Sequence, residues 1–187
     1  GDHPRHSYMA RQIYSTGFLS TIIVQRREKF NPKPPDDIDK ETKDLFIHHF
    51  KERSRIEKLM FGEKEWPNCQ IVRVDKDELN SSKIHKLLKQ ESPDLLLSYG
   101  CNILNDATLD CVNGEKWNCH GGLSPWYKGS ATHFWPSYML EPQYTGSTIH
   151  DLIARADAGD MVHQCSADLV RGDTLHMLAA RSIIKIS

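Results

Sequence analysis

Long apolar runs are missing from this 187-residue chain; stretches such as 22–24 and 95–97 hold only three such residues each. A membrane-spanning helix needs about 20 in a row, so none is expected. No N-terminal stretch resembles a signal peptide, and the expected location is the cytoplasm. An excess of charge of one sign is missing too. Lys and Arg total 24 and Asp and Glu 25, a formal net charge of −1, with an isoelectric point near 6.9. No global basic field would draw the chain to nucleic acid or to an anionic membrane. Cysteine pairing signals are also absent. Cys69, Cys101, Cys111, Cys119 and Cys165 are odd in number and none has CxxC spacing, which fits reduced thiols better than a disulfide framework. Ten histidines are present but no HExxH, so no metal is expected.

What is present is an alternation of helical and strand patterns without an internal repeat. Pro4 suits the first turn of a helix through Tyr14, and 18–25 reads as a strand. The Pro/Asp-rich stretch 31–39 is a loop, and Asp39 caps a long helix to Met60 with Gly62 as the stop. A strand at 70–74 precedes a helix from Asn80 to Gln90, closed by Pro93. The apolar run 94–99 suits a buried parallel strand, and 116–120 is another. Beyond the Gly/Pro loop 121–131, a helix is expected at 132–140, with Pro136 in its first turn. Strands follow at 145–151 and 161–169, then a last helix from Asp173 or Thr174. This order predicts an α/β layered, Rossmann-like fold with an open, largely parallel sheet, helices on both faces, and one domain over 1–187. The chain opens on a helix and ends inside one, so both ends are expected to be cut relative to the natural protein.

Chemistry concentrates in two stretches. Asn118 and His120 lie two apart, on one face of a strand that runs into a glycine loop. In open α/β sheets ligands bind at that carboxyl end, where an amide and an imidazole can polarise a carbonyl and handle a proton. Asp157 sits in the turn between the last two strands, where a carboxylate can reach an imidazole or bond its own backbone.

Together these stretches resemble the folate-dependent formyltransferase family, which includes glycinamide ribonucleotide, methionyl-tRNA and amino-sugar formyltransferases. The matching elements are Asn118/His120, Leu123-Ser124-Pro125 through Lys128-Gly129, Gly146-Ser147-Thr148-Ile149-His150, and Asp157-Ala158-Gly159. Gly121-Gly122 stands where the family often has proline after the histidine, and Ser124 replaces a frequent leucine. The resemblance implies catalysis by Asn118, His120 and Asp157. The first two would donate hydrogen bonds to the oxyanion formed when an amine attacks the formyl carbon of 10-formyltetrahydrofolate. Asp157 would orient His120 and help move the amine proton. The folate would lie against Tyr99, Gly100, Cys101, Asn102, Ile103 and Leu104 and against Ala156, Ala158, Gly159 and Asp160. The small-molecule amine acceptor would meet Gly122, Leu123, Ser124, Lys128, Gly129 and His150. A nucleotide-linked amino sugar is the favoured acceptor. Methionyl-tRNA, glycinamide ribonucleotide, hydrolysis of the same folate and a catalytically idle binder are the alternatives, and a homodimer is left open.

Three further features carry two readings each. His49, Arg53, Glu57 and Phe61 recur every four residues along one helix face; a solvated face with an Arg53–Glu57 pair is favoured over a wall for an acceptor. Arg5 and His6 at the first helix suit either phosphate binding or an irregular terminus. Trp126, Tyr127, Phe134 and Trp135 either stack an acceptor or pack a loop.

Overall fold

Two parallel strands, β1 (Thr21–Gln25) and β2 (Gln70–Val74), form one ladder of the computed structural model, which describes residues 1–26 and 29–187. A second ladder has the order β3-β4-β5-β6, from β3 (Leu95–Tyr99), β4 (Glu115–His120), β5 (Gly146–Asp151) and β6 (Met161–Ser166). β3 and β4 are parallel, whereas β5 is antiparallel to both its neighbours. The α/β layering follows the sequence pattern, but the parallel arrangement stops at β4. The connection 152–160 is too short for the crossover of a dozen or more residues that a parallel β5–β6 pair requires.

Local chemistry sets the helices. Asp39 accepts the Thr42 N–H at 2.9 Å and starts α2 (Lys40–Phe61), which Gly62 ends at a φ of 75°. Thr174 caps α6 (Leu175–Ile186) in the same way. The helix expected at 132–140 shrinks to one turn, α5 (Trp135–Tyr138). The hydroxyl of Thr132 bonds the Gly121 carbonyl just past β4 and the His133 ring bonds the Gly146 carbonyl of β5 at 3.1 Å, so these two residues are held by those contacts instead of entering a helix. A further single turn, α4 (Asp106–Leu109), was hidden in the sequence and is capped by Asn105. The strand expected to run to Leu169 stops at Ser166.

Two apolar clusters hold the layers. Ile84 and Leu88 of α3 (Ser82–Glu91) pack with Val74, Leu104, Leu109 and Val112. Ile56 and Phe61 of α2 pack with Ala180 and Ile183 of α6, joined by Tyr8 of α1 (Pro4–Ser15). Because β3 and β4 run the same way, Tyr99 and His120 arrive at the same end of the sheet, the end where α/β folds bind ligands.

Candidate active site

Side chains from β4 and β5 meet on one face of the sheet. Asn118 pairs with His150 and His120 with Thr148, and directly opposed residues on antiparallel strands project together. Asp157 reaches them from the connection between β5 and β6, with its backbone in the left-handed region at φ 47°. Asp157 Oδ1 lies 3.3 Å from His120 Nδ1 and 3.5 Å from His150 Nε2. Its Oδ2 accepts the Gly129 N–H at 2.8 Å.

The surrounding bonds fix the tautomers. His120 Nε2 lies 2.9 Å from the Tyr127 carbonyl, which can only accept, so Nε2 carries hydrogen and Nδ1 turns to Asp157. His150 Nδ1 donates to the Asp151 carbonyl at 2.8 Å, leaving Nε2 to accept from the Asn118 amide at 3.1 Å. Ser98 donates to Asn118 Oδ1 at 2.6 Å, which turns the amide nitrogen toward His150. The hydrogen bond to Asp157 is the leading cause that raises the His150 pKa above its ordinary value, against the opposing pull of burial. Burial alone would raise Asp157. The His150 hydrogen bond, the Gly129 N–H and the two imidazoles outweigh it and hold the carboxyl below its usual range.

These groups line a cavity of about 1080 Å³. Tyr99, Gly100, Cys101, Asn102, Ile103 and Leu104 all line it, as do Ala156 and Gly129. Tyr99 is also turned toward α1, its ring 4.8 Å from that of His6, and burial is the main cause that raises its pKa. Seven residues expected to touch folate or acceptor do not line the cavity: Gly122, Leu123, Ser124, Lys128, Ala158, Gly159 and Asp160. Gly122 and Ser124 instead anchor the loop on Thr148, whose hydroxyl donates to the Gly122 carbonyl at 2.7 Å and accepts the Ser124 N–H at 3.1 Å. Gln164 donates to the Ser124 carbonyl at 2.8 Å. Leu123 is buried and Lys128 exposed. Gly159 packs so closely on Asp151 that a side chain would strike its carbonyl, and the Asp160 carbonyl accepts the Asp151 N–H at 2.8 Å. Ala158 lies in the same turn. These contacts shape the loops rather than the cavity.

Sequence reasoning missed Ser98, the Tyr127 carbonyl and Gln164. Ser98 was within reach, since parallel pairing of β3 and β4 puts it beside Asn118. The α2 stripe also departs from the solvated face expected of it: His49, Arg53, Glu57 and Phe61 line the same cavity, and Glu57 is only 6% exposed. His6 is no ready cation for phosphate. Burial is the first cause that pushes its pKa well down, and its Nδ1 accepts the His3 N–H at 3.0 Å. Of the aromatic residues, Phe134 lines the cavity, whereas Trp126 is exposed and packs beside Tyr144.

An α/β sheet whose strand end carries an amide, two imidazoles and a shared carboxylate beside a cavity of about 1080 Å³ has the layout of an enzyme. The family model described as "Formyl transferase" matches residues 38–183, and the chain belongs to that family. The fold is similar to that of phosphoribosylglycinamide formyltransferase from Anaplasma phagocytophilum, at 20% identity and a TM-score of 0.62, covering 98% of this chain and 76% of that one. Phosphoribosylglycinamide formyltransferase from Brucella melitensis gives 18% identity and a TM-score of 0.61, over 99% and 84%. A sugar N-formyltransferase from a Shewanella species gives 16% and 0.51, over 90% and 66%.

Proposed function

We propose that the chain moves a formyl group from 10-formyltetrahydrofolate to a primary amine, and that the amine is borne on a nucleotide-linked sugar. The observation that carries the transfer is the convergence of Asn118, His120, His150 and Asp157 at a cavity of about 1080 Å³ that residues 99–104 also line. The folate supplies the formyl group and fits the backbone-rich wall 99–104, where a flat heterocycle pairs with amides and carbonyls. The chain's own residues do the rest. Asn118 carries two amide hydrogens; one is held by His150, and the other is directed at the formyl oxygen as negative charge grows there. The His120 Nε2–H is the second donor, and it leaves the Tyr127 carbonyl to act. Asp157 fixes the His120 ring from the Nδ1 side and takes the amine proton through water; as the adduct collapses, the bond between the formyl carbon and N10 of the folate breaks and that proton passes to N10, releasing tetrahydrofolate.

An assay decides between the readings. The protein is mixed with 10-formyltetrahydrofolate and a panel of nucleotide-linked amino sugars, phosphoribosylglycinamide and methionyl-tRNA, and released tetrahydrofolate and formylated product are measured. Amine-dependent turnover with an amino sugar supports the proposal. Formylation of phosphoribosylglycinamide or methionyl-tRNA alone reassigns the acceptor. Folate turnover without any amine identifies a hydrolase, and folate binding without turnover an idle relative.

A further inference from the structure

His49 of α2 and His176 of α6 meet in the cavity wall, their ring centres 4.6 Å apart and their planes inclined at 59°. Phe50 and Phe134 pack edge-on against His49, with centre distances of 5.0 and 5.9 Å. His176 is only 8% exposed. Even so, neither imidazole makes a hydrogen bond or an ion pair among the described residues, whereas His120 and His150 are engaged at both nitrogens. The nitrogens of His49 and His176 are not among the side-chain atoms shut away from solvent, and both residues line the cavity. Two imidazoles that open on one cavity and bond nothing in the protein hold hydrogen-bonding capacity that a ligand can use.

The start of α6 selects the ligand. His176 is the second residue of that helix, and Leu175, the first, also lines the cavity. Thr174 Oγ1 accepts the Met177 N–H at 3.3 Å, which leaves the Leu175 and His176 N–H groups without an acceptor among the described residues. Such N–H groups, at the positive end of the helix dipole, favour an anion. Besides each other, the charged or titratable groups that act on the two rings are His48, Glu52 and Arg53, all of α2. Arg53 is engaged elsewhere, by the Phe30 carbonyl and near Glu57. Glu52 is held by Arg55 at 3.0 to 3.2 Å, so no carboxylate bonds either imidazole. Burial is the first cause that holds both rings below the ordinary histidine value, His176 at about 4. At neutral pH each ring has one N–H to give, and an anion between them accepts both and draws the rings toward the charged form. We infer that His49, His176 and the first turn of α6 form a phosphate subsite for the acceptor, taking either the diphosphate of a nucleotide-linked sugar or the monophosphate of phosphoribosylglycinamide. The link to an acceptor rests on the transfer proposed above; affinity for phosphate itself does not.

A ring-proton NMR titration of the full chain reads the site without any acceptor. Inorganic phosphate or pyrophosphate, compared with chloride at the same ionic strength, is expected to raise the His49 and His176 midpoints by about one unit or more. H49Q is expected to remove most of the rise at His176. Midpoints that neither anion moves overturn the inference, and so does an undiminished rise at His176 in H49Q. Kinetics then tie the site to the acceptor. The phosphorylated amine that the wild-type protein formylates is compared with its phosphate-free counterpart on wild type, H49Q and H176Q. Each substitution is expected to raise the KM of the phosphorylated amine about tenfold, with kcat and the folate KM within about twofold, and to leave the phosphate-free amine unaffected. Equal losses on both amines overturn the inference and mark a structural role. Should H176Q fail to fold, H49Q still decides, because its ring is only half-buried. The two phosphate sources are told apart by which acceptor's KM the substitutions raise. Anion-dependent midpoints in a protein that formylates no phosphorylated amine refute the acceptor reading and leave the phosphate site standing.

Discussion

Asn118 and His150 face each other across β4 and β5, the amide nitrogen 3.1 Å from Nε2 of the ring. The same ring nitrogen lies 3.5 Å from Asp157 Oδ1, so amide and carboxylate make opposite demands on it. Neutral His150 accepts from Asn118. Charged His150 donates to Asp157, and the Asn118 donor has to turn away. The protonation state of one imidazole thus decides where the amide hydrogens of its neighbour point.

The first prediction concerns that imidazole. The Asp157 hydrogen bond raises the folded His150 pKa, so its contribution to stability is fully present below the unfolded value and is lost as pH rises through the folded one. Asp157→Asn removes the carboxylate charge. A ring-proton NMR titration is expected to show the His150 midpoint moving down in the variant, and an unmoved midpoint refutes the coupling.

Loss of the Asn118 amide tests the oxyanion role. Asn118→Ala is expected to lower kcat about a hundredfold or more, with folate affinity within several-fold. Ser98→Ala removes only the hydroxyl that aims the amide. Its expected effect is a smaller fall, about tenfold, again in kcat rather than KM. Steady-state kinetics on both variants checks the order, and a larger loss from Ser98→Ala than from Asn118→Ala contradicts it.

His120 and Asp157 act as one unit, so their losses are not expected to add. The His120→Ala, Asp157→Asn double variant should turn over about as slowly as His120→Ala alone. Single-turnover rates for the three proteins read this directly; near-normal transfer by His120→Ala would refute the mechanism while leaving the fold intact.

Acid stability should follow two other histidines. Burial pushes His133 and His176 down to about 4 each, so the folded form leaves both unprotonated in a range where the unfolded chain binds protons. Their stabilising contribution is present above the ordinary histidine value of 6.5 and is lost as pH falls toward 4. His176→Gln should flatten the fall of Tm with pH across that window, and an unchanged slope counts against the assignment.

Gly122 has little room for a side chain. A Cβ there would meet the Tyr127 carbonyl, His120 Nε2 and Thr132 Cβ. Gly122→Ala is expected to cost about 1–3 kcal/mol of stability, the range for overpacking, and to reduce kcat by displacing the carbonyl that holds the His120 ring. Denaturant unfolding and steady-state assays check both effects; a variant as stable and active as wild type rules out the tight loop.

The strands and long helices were legible because their causes are local. Asp39 and Gly62 bracket α2, and 70–74 is a short segment with three β-branched residues, Ile71, Val72 and Val74. The Asn118, His120, His150 and Asp157 motifs were also visible, though not that His150 would face Asn118. That pairing depends on the antiparallel register of β5, which short-range periodicity does not encode. The same gap explains Glu57. Its i, i+4 partner Arg53 suggested an exposed pair, and only the packing of α1 and α2 around the cavity makes it a buried one. α5 shortened because Thr132 and His133 found partners in Gly121, just past β4, and in Gly146 of β5 that no helical pattern reveals.

Asp157 stands in the left-handed backbone region, where glycine is unstrained and Asp and Asn are tolerated more readily than other side chains. Handedness and charge therefore press on this position from different directions. A library of variants selected for folding alone should drift toward Gly or Asn, which keep the turn and relieve the backbone. One selected for turnover should return to Asp, the one residue that supplies both an acceptable turn and a carboxylate of the right reach. Glutamate, the usual conservative exchange for aspartate, should fare badly under either regime, and the gap between the two libraries would measure how much folding ease the site gives up for its chemistry.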